Sequence, residues 1–154
     1  DHRDLHSFPT RRSSDLISVF IENKPGRLAE VTKTIYQANI NIRSLFLADT
    51  KDFGILRMIV NLPDKTIEAL KKEGFTVRET EVLAIEVPDK PGGLYEILTG
   101  LENNGISIEY MYAFAEKRQN SAIMIFRFDE IEKALDILSQ SGVKVLTHEE
   151  VYNL

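Results

Sequence analysis

No cysteine occurs in the 154 residues, which excludes disulfides, thiolate metal sites and cysteine nucleophiles. Long hydrophobic runs are missing too. The apolar stretches are strand-length, so none is expected to cross a membrane. The opening residues lack the apolar core of a secretory signal, and a cytoplasmic location is expected. Histidine is scarce: two of the three lie in the first six residues, and His148 sits on an acidic segment that reads as surface. There is no phosphate-binding glycine loop, no dinucleotide fingerprint and no metal-ligand spacing, so neither cofactor nor metal is expected. Ser107 and Ser121 lack the turn and base that a nucleophile requires. Glu22, Glu86 and Glu109 fall on or near strands without the spacing of an acid–base pair. No catalytic residue emerges, and a non-enzyme is expected. A net charge of −5 argues against general nucleic-acid binding, which needs a concentrated positive field.

What the chain does contain is an internal repeat. Asn23-Lys24-Pro25-Gly26-Arg27-Leu28 returns 66 residues later as Asp89-Lys90-Pro91-Gly92-Gly93-Leu94, each after a short apolar run and at the start of a helical pattern. At the same offset Glu30 falls on Glu96, Val31 on Ile97, Ile35 on Leu101, Ile40 on Ile106 and Ile42 on Ile108. A period this long is a small domain rather than a solenoid unit. Residues 1–16 have neither helical nor strand periodicity and resemble translated sequencing-adapter sequence. They are expected to be a non-native leader or a disordered tail, leaving one domain over 17–80 and a second over 81–154. Domains of roughly 65 residues bury little surface alone, so the halves are expected to share an interface, and a homodimer is a further expectation.

Both halves read in the same element order. In the first, Ile17–Glu22 is a strand ending at the Pro-Gly turn, and Leu28, Val31 and Ile35 mark a helix with Pro25 near its first turn. Ile40–Ala48 and Phe53–Asn61 are strands joined by a hairpin over Asp49-Thr50-Lys51-Asp52. A helix from Pro63 stops before Gly74, and Phe75–Thr80 is the fourth strand. The second half gives strand Val82–Val87, helix Leu94–Asn103, strands Ile106–Ala115 and Ser121–Phe128, helix Glu130–Ser139 and strand Val143–Leu146. Thr147 and Glu150 have capping-box spacing for a last helical turn. The fold class expected is α+β: two ferredoxin-like βαββαβ domains, each an antiparallel sheet with helices on one face.

Each Pro-Gly turn joins a strand end to a helix N-terminus, where free N–H groups and the helix dipole favour an anion. Gly26 and Gly92 lack a Cβ, so a ligand can approach the backbone. Asn23 and Asp89 set an amide oxygen and a carboxylate just before the turn, suited to an ammonium group. An anion hole beside an ammonium acceptor is what a free α-amino acid requires. The plain alternative is that Pro-Gly merely turns the chain.

The motif Asn/Asp-Lys-Pro-Gly-Xaa-Leu after a short strand, within a βαββαβ unit, resembles the signature of ACT domains, and its duplication over 17–154 resembles the stand-alone tandem ACT proteins. The resemblance implies a non-catalytic sensor. A free amino acid would lie where two ACT units meet, held by the first strand–helix loop of one and the start of the second strand of another. By position this implicates Asn23, Lys24, Pro25, Gly26, Arg27 and Leu28 with Asn41 and Ile42, and Asp89, Lys90, Pro91, Gly92, Gly93 and Leu94 with Ser107 and Ile108. Arg27 aligns with Gly93, so the two sites are unequal: the arginine either grips a carboxylate or fills its own site. Arg57 is a further carboxylate partner or an edge-strand charge, and Tyr110 and Tyr112 line a pocket or pack between domains. Two other readings stand beside this one. One is a regulatory subunit of a separate amino-acid-metabolism enzyme without its own ligand. The other is an RNA-binding module, since Val19-Phe20-Ile21-Glu22-Asn23 resembles an RNA-recognition strand whose Phe20, with Phe53, would stack bases. The acidic balance disfavours RNA.

Overall fold

A computed structural model describes residues 11–49 and 52–154. The elements run β1 (Ser13–Glu22), α1 (Arg27–Gln37), β2 (Ile42–Asp49), β3 (Phe53–Val60), α2 (Pro63–Lys72), β4 (Thr76–Pro88), α3 (Gly93–Glu102), β5 (Ile108–Arg118), β6 (Ser121–Phe128), α4 (Ile131–Gln140) and α5 (His148–Tyr152). The chain divides into two units, Asp15–Thr80 and Glu81–Leu154, the latter together with residues 11–14.

In the first unit the strands run in the order β2-β3-β1, every pair antiparallel. Ile17, Val19 and Ile21 alternate inward from β1 onto Val31 and Ile35 of α1 and Leu70 of α2, which form one buried core. In the second unit the order is β4-β6-β5, and Leu83, Ile85, Phe126 and Phe128 meet Ile97 and Leu101 of α3. Phe126 and Phe128 stack with ring centroids 5.5 Å apart. Each unit is thus a ferredoxin-like βαββαβ fold, because alternation on the strands and a 3–4 spacing on the helices bury one face of each against the other.

Several boundaries differ from expectation. β1 begins at Ser13, not Ile17, and so takes in the end of the stretch set aside as a leader; Ser14 and Leu16 are fully buried. Arg12 also donates from Nη1 to the Val145 carbonyl at 2.7 Å. The strands expected at Phe75–Thr80 and Val82–Val87 are one continuous element, β4, because no glycine or proline interrupts residues 76–87. The strand expected at Val143–Leu146 shrinks to a single bridge, Val145 to Ile85. Thr147 starts α5 immediately afterwards with a complete capping box, its hydroxyl accepting from the Glu150 N–H and Glu150 accepting from the Thr147 N–H, and the helix pre-empts the ladder. β2 and β5 start two residues late because Ile40 and Ile106 turn the corner. Each donates its N–H back into the preceding helix, to Ile35 and Leu101, after a left-handed residue, Asn39 or Gly105. Of the expected hairpin loop, Thr50 and Lys51 lie outside the described residues.

Candidate functional site

The two Pro-Gly turns are built alike. Lys24 and Lys90 donate their N–H groups to the carbonyls of Glu22 and Pro88, at 2.8 and 2.9 Å. Arg27 and Gly93 close the next bonds, to Lys24 and Lys90. Gly26 and Gly92 then take φ +89° and +84° as helix N-caps, a left-handed conformation that a Cβ makes costly. No side chain caps either helix, so the dipole end faces outward at both turns.

At the first turn a cavity of about 320 Å³ is lined by Ile21, Glu22, Asn23, Lys24, Leu28, Leu47 and Gly54. Its polar wall holds an ion pair, Lys24 Nζ to Glu22 Oε2 at 2.9 Å. The hydrogen bond from Lys24 draws the Glu22 carboxyl below its ordinary value, the Lys24 charge adding to it. Its apolar wall is Leu28 and Leu47. Gly54 is buried beneath, and a Cβ there would press on Ile21 and Leu47. Pro25 and Gly26 are exposed and do not line the cavity.

Asn41 and Ile42 sit elsewhere in the same unit. Ile42 pairs with Val60 at one end of β3, while Glu22 pairs with Phe53 at the other. Seven residues of strand at about 3.3 Å each put them ~23 Å apart. Asn41 is anchored there by reciprocal bonds, its N–H to Asn61 Oδ1 and its carbonyl to the Asn61 N–H. Ser107 repeats the arrangement with Asp129, and Ile108 pairs with Phe128, far from Pro88 opposite Ser121. A single unit therefore does not bring its own turn and second-strand start together.

At the second turn Asp89 donates its N–H to the Asn120 carbonyl at 2.9 Å. Asp89, Lys90, Pro91 and Gly92 are exposed, and Leu94 packs on the core of its unit. Beside them a groove of about 410 Å³ opens between α3 and the corner after α4, with Ile97, Leu101, Leu138 and Val143 among its apolar lining and Glu86, Glu96, Ser121 and Lys144 at its edge. Gly93 is buried against β4, where any Cβ would overlap the Pro88 carbonyl.

Arg27 fills a place of its own rather than reaching outward. Its guanidinium lies 5.1 Å from the centroid of Phe75, and Nη1 donates to Glu30 Oε2 at 2.7 Å. Arg57 is half-buried mid-strand opposite Ser18 and Phe46, three residues or ~10 Å from Gly54. Tyr112 is buried opposite Ile125 and Tyr110 lies opposite Arg127; neither lines the groove or the cavity at the first turn. Sequence reasoning missed two features. The groove joins α3, the end of β4 and the corner after α4, and of its lining the repeat singles out residues such as Gly93 and Leu101 without bringing the three elements together. The cluster in which Arg118 meets Glu86 at 3.5 Å and Glu150 at 3.2 Å, with Lys144 on Glu150 at 3.4 Å, joins residues too scattered to be seen. Among the described residues no three His, Cys, Asp or Glu side chains gather as a metal site, and no helix is long and apolar enough to cross a membrane.

These features have relatives. A family model described as an ACT domain pair matches residues 13–154. Protein BT0572 from Bacteroides thetaiotaomicron is 40% identical; the match covers 94% of this chain and 99% of that one, with a TM-score of 0.87. The ligand-free regulatory subunit of aspartate kinase from Thermus thermophilus, 16% identical over 82% of this chain and 91% of its own, shares the fold at a TM-score of 0.59. None of the curated proteins matches the sequence. With the family model spanning nearly the whole chain, and duplicated Pro-Gly turns in two βαββαβ units, the chain belongs to the ACT domain pair family.

Proposed function

We propose that this is a non-catalytic, cytoplasmic regulatory protein that binds a free amino acid at its Pro-Gly turns, each site completed by the second-strand start of an adjoining ACT unit. The observation that carries this is the cavity at the first turn. It brings Asn23, the Glu22–Lys24 ion pair and Leu28 of the first helical turn to one place, and its wall Leu47 belongs to β2, at the end of the strand order. That strand is apolar and open: Leu45, Phe46 and Leu47 are 53%, 43% and 46% exposed. An exposed apolar edge is a template for pairing with another chain. A second copy laid antiparallel along β2 would bring its Asn41 and Ile42 to the Leu47 end, beside the turn, and close the cavity. Ligand and dimer would then stabilise one another, since a ligand shifts an equilibrium only by its differential affinity for the two states.

Thermal unfolding against each of the twenty amino acids tests the reading. A ligand at 100 times its dissociation constant adds about 2.7 kcal/mol, several degrees for a chain of this size. A shift with one amino acid or a related few, lost in Gly26→Val or Gly92→Val with the fold retained, supports it. No shift in a cooperatively folded sample would replace it with a subunit that regulates an amino-acid-metabolism enzyme by contact alone.

A further inference from the structure

The first unit contains a template for what the groove of the second unit lacks. The two frames correspond bond for bond. Glu30 and Glu96 both donate their N–H to the N-cap glycine carbonyl at 3.0 Å. Phe75 and Val143 both follow a left-handed glycine and donate back to Leu70 and Leu138, at 3.1 and 3.0 Å. On this frame Arg27 corresponds to Gly93, Phe75 to Val143 and Thr34 to Gly100. In the first unit the arginine stem crosses the helix face, its guanidinium covers Phe75, and Glu30 takes its charge. In the second unit there is no side chain at Gly93, where the Pro88 carbonyl leaves no room for a Cβ, and the space beyond it, beside Val143 and Gly100, is open.

The carboxylate remains. Glu96 lines the groove where Glu30 receives Arg27, and among the described residues no ion pair engages it. Glu86 is held by Arg118, and the lysine at the edge, Lys144, is held by Glu150. The geometry points to a binding site in this groove for a free small molecule carrying a guanidinium or ammonium group on a short aliphatic stem. The cation replaces the Arg27 head at Glu96, and the stem lies over Ile97, Leu101 and Val143. The volume, about 410 Å³, is in the range of small-molecule pockets and exceeds what one side chain fills. Gly93 is fixed as glycine by the Pro88 carbonyl, so the second unit cannot supply its own plug from that position. The site stands independently of the amino-acid reading of the turns: it shares Gly93 with the second turn but lies on the helix face and needs no ligand at the turn.

The test is titration of the full chain, with its backbone amides followed by NMR, using n-propylguanidinium as probe and the neutral n-propylurea as its shape control. The expected result is saturable shifts at Gly93, Gly100 and Val143 with a dissociation constant on the order of millimolar, and binding of the urea weaker by about fivefold or more. Glu96→Gln should weaken the guanidinium about fivefold and leave the urea unchanged. Gly100→Leu should abolish binding while keeping the parent spectrum, because a Cβ at Gly100 meets nothing within 4 Å and leucine favours helix. Val143→Phe provides a second blocking variant. Absence of saturable shifts, equal binding of the urea, or binding that survives both blocking variants would overturn the site. Gly92→Val, which strains the turn and leaves the groove lining intact, separates a failure here from a failure at the turn.

Discussion

In one unit the first helical residue is Arg27, lying across Phe75 with its charge on Glu30; in the other it is Gly93, buried under a proline carbonyl beside an uncovered Val143. The N-cap glycines agree to within a few degrees and the turn and corner bonds to within tenths of an ångström, although at Gly93 a Cβ would meet the strand-end carbonyl. A duplicated frame can therefore diverge in what it holds without diverging in how it folds, because the turn, the cap and the corner are set by backbone bonds, and the filling by two or three side chains. The most severe way to break this comparison is to copy the first filling into the second frame. Gly93→Arg forces a Cβ into the Pro88 carbonyl, and overpacking against backbone should cost about 3 kcal/mol, lowering Tm on the order of 10 °C. The mirror change, Arg27→Gly, loses a partly exposed stack and ion pair and a helix-favouring residue, about 1 kcal/mol. Equal losses in thermal unfolding would show that the β4 carbonyl does not distinguish the units.

The corner residues give the next largest effect. Phe75→Val removes a ring that is 7% exposed under the guanidinium and should cost about 2 kcal/mol. Val143→Phe has an open groove to enter and should leave stability within about 0.5 kcal/mol of the parent, or raise it. Denaturant unfolding of the pair measures the asymmetry directly. The N-cap glycines should then be equal where the fillings are not. Neither Cβ would touch anything within 4 Å, so Gly26→Ala and Gly92→Ala should each cost only the left-handed backbone strain, about 1 kcal/mol. A twofold difference between them would mean that one turn is held by more than its backbone.

Much of this is legible in the amino-acid sequence alone. The offset of 66 residues, the Pro-Gly punctuation and the switch between periods of two and of three to four carry the element order, since each is a local property of the chain. The inequality of Arg27 and Gly93 was visible in the same alignment. Its consequence was not, because Phe75 lies 48 positions from Arg27 and meets it only once α2 packs back beside α1. Gly100 and Val143 were unremarkable for the same reason: a groove is a property of three elements together. The separation of Asn41 and Ile42 from the turn follows from strand register, which alternation alone does not supply. Conversely the repeat suggests a boundary inside β4, although no residue between Thr76 and Val87 stops a strand.

The smallest effect concerns how each unit ends. The first ends in a continuous strand, whereas the second keeps one bridge at Val145 and turns into α5, whose capping box and ion pairs converge on Glu150. The Thr147 N–H, then Arg118 and Lys144, hold the Glu150 carboxyl down at about 2 against the opposing effect of burial. A carboxyl lowered on folding contributes its full stabilisation above its unfolded value, near 4.5, and loses it as pH falls through the folded value. Glu150→Gln should therefore lower stability at neutral pH by about 1 kcal/mol or less, the worth of a cap with a partly exposed ion pair. The gap between parent and variant should close between pH 4.5 and 2. Equilibrium unfolding of both proteins across that window reads the gap with the other carboxylates cancelling. A gap that stays constant with pH would assign the loss to packing of α5 and leave the carboxylate no part in ending the second unit.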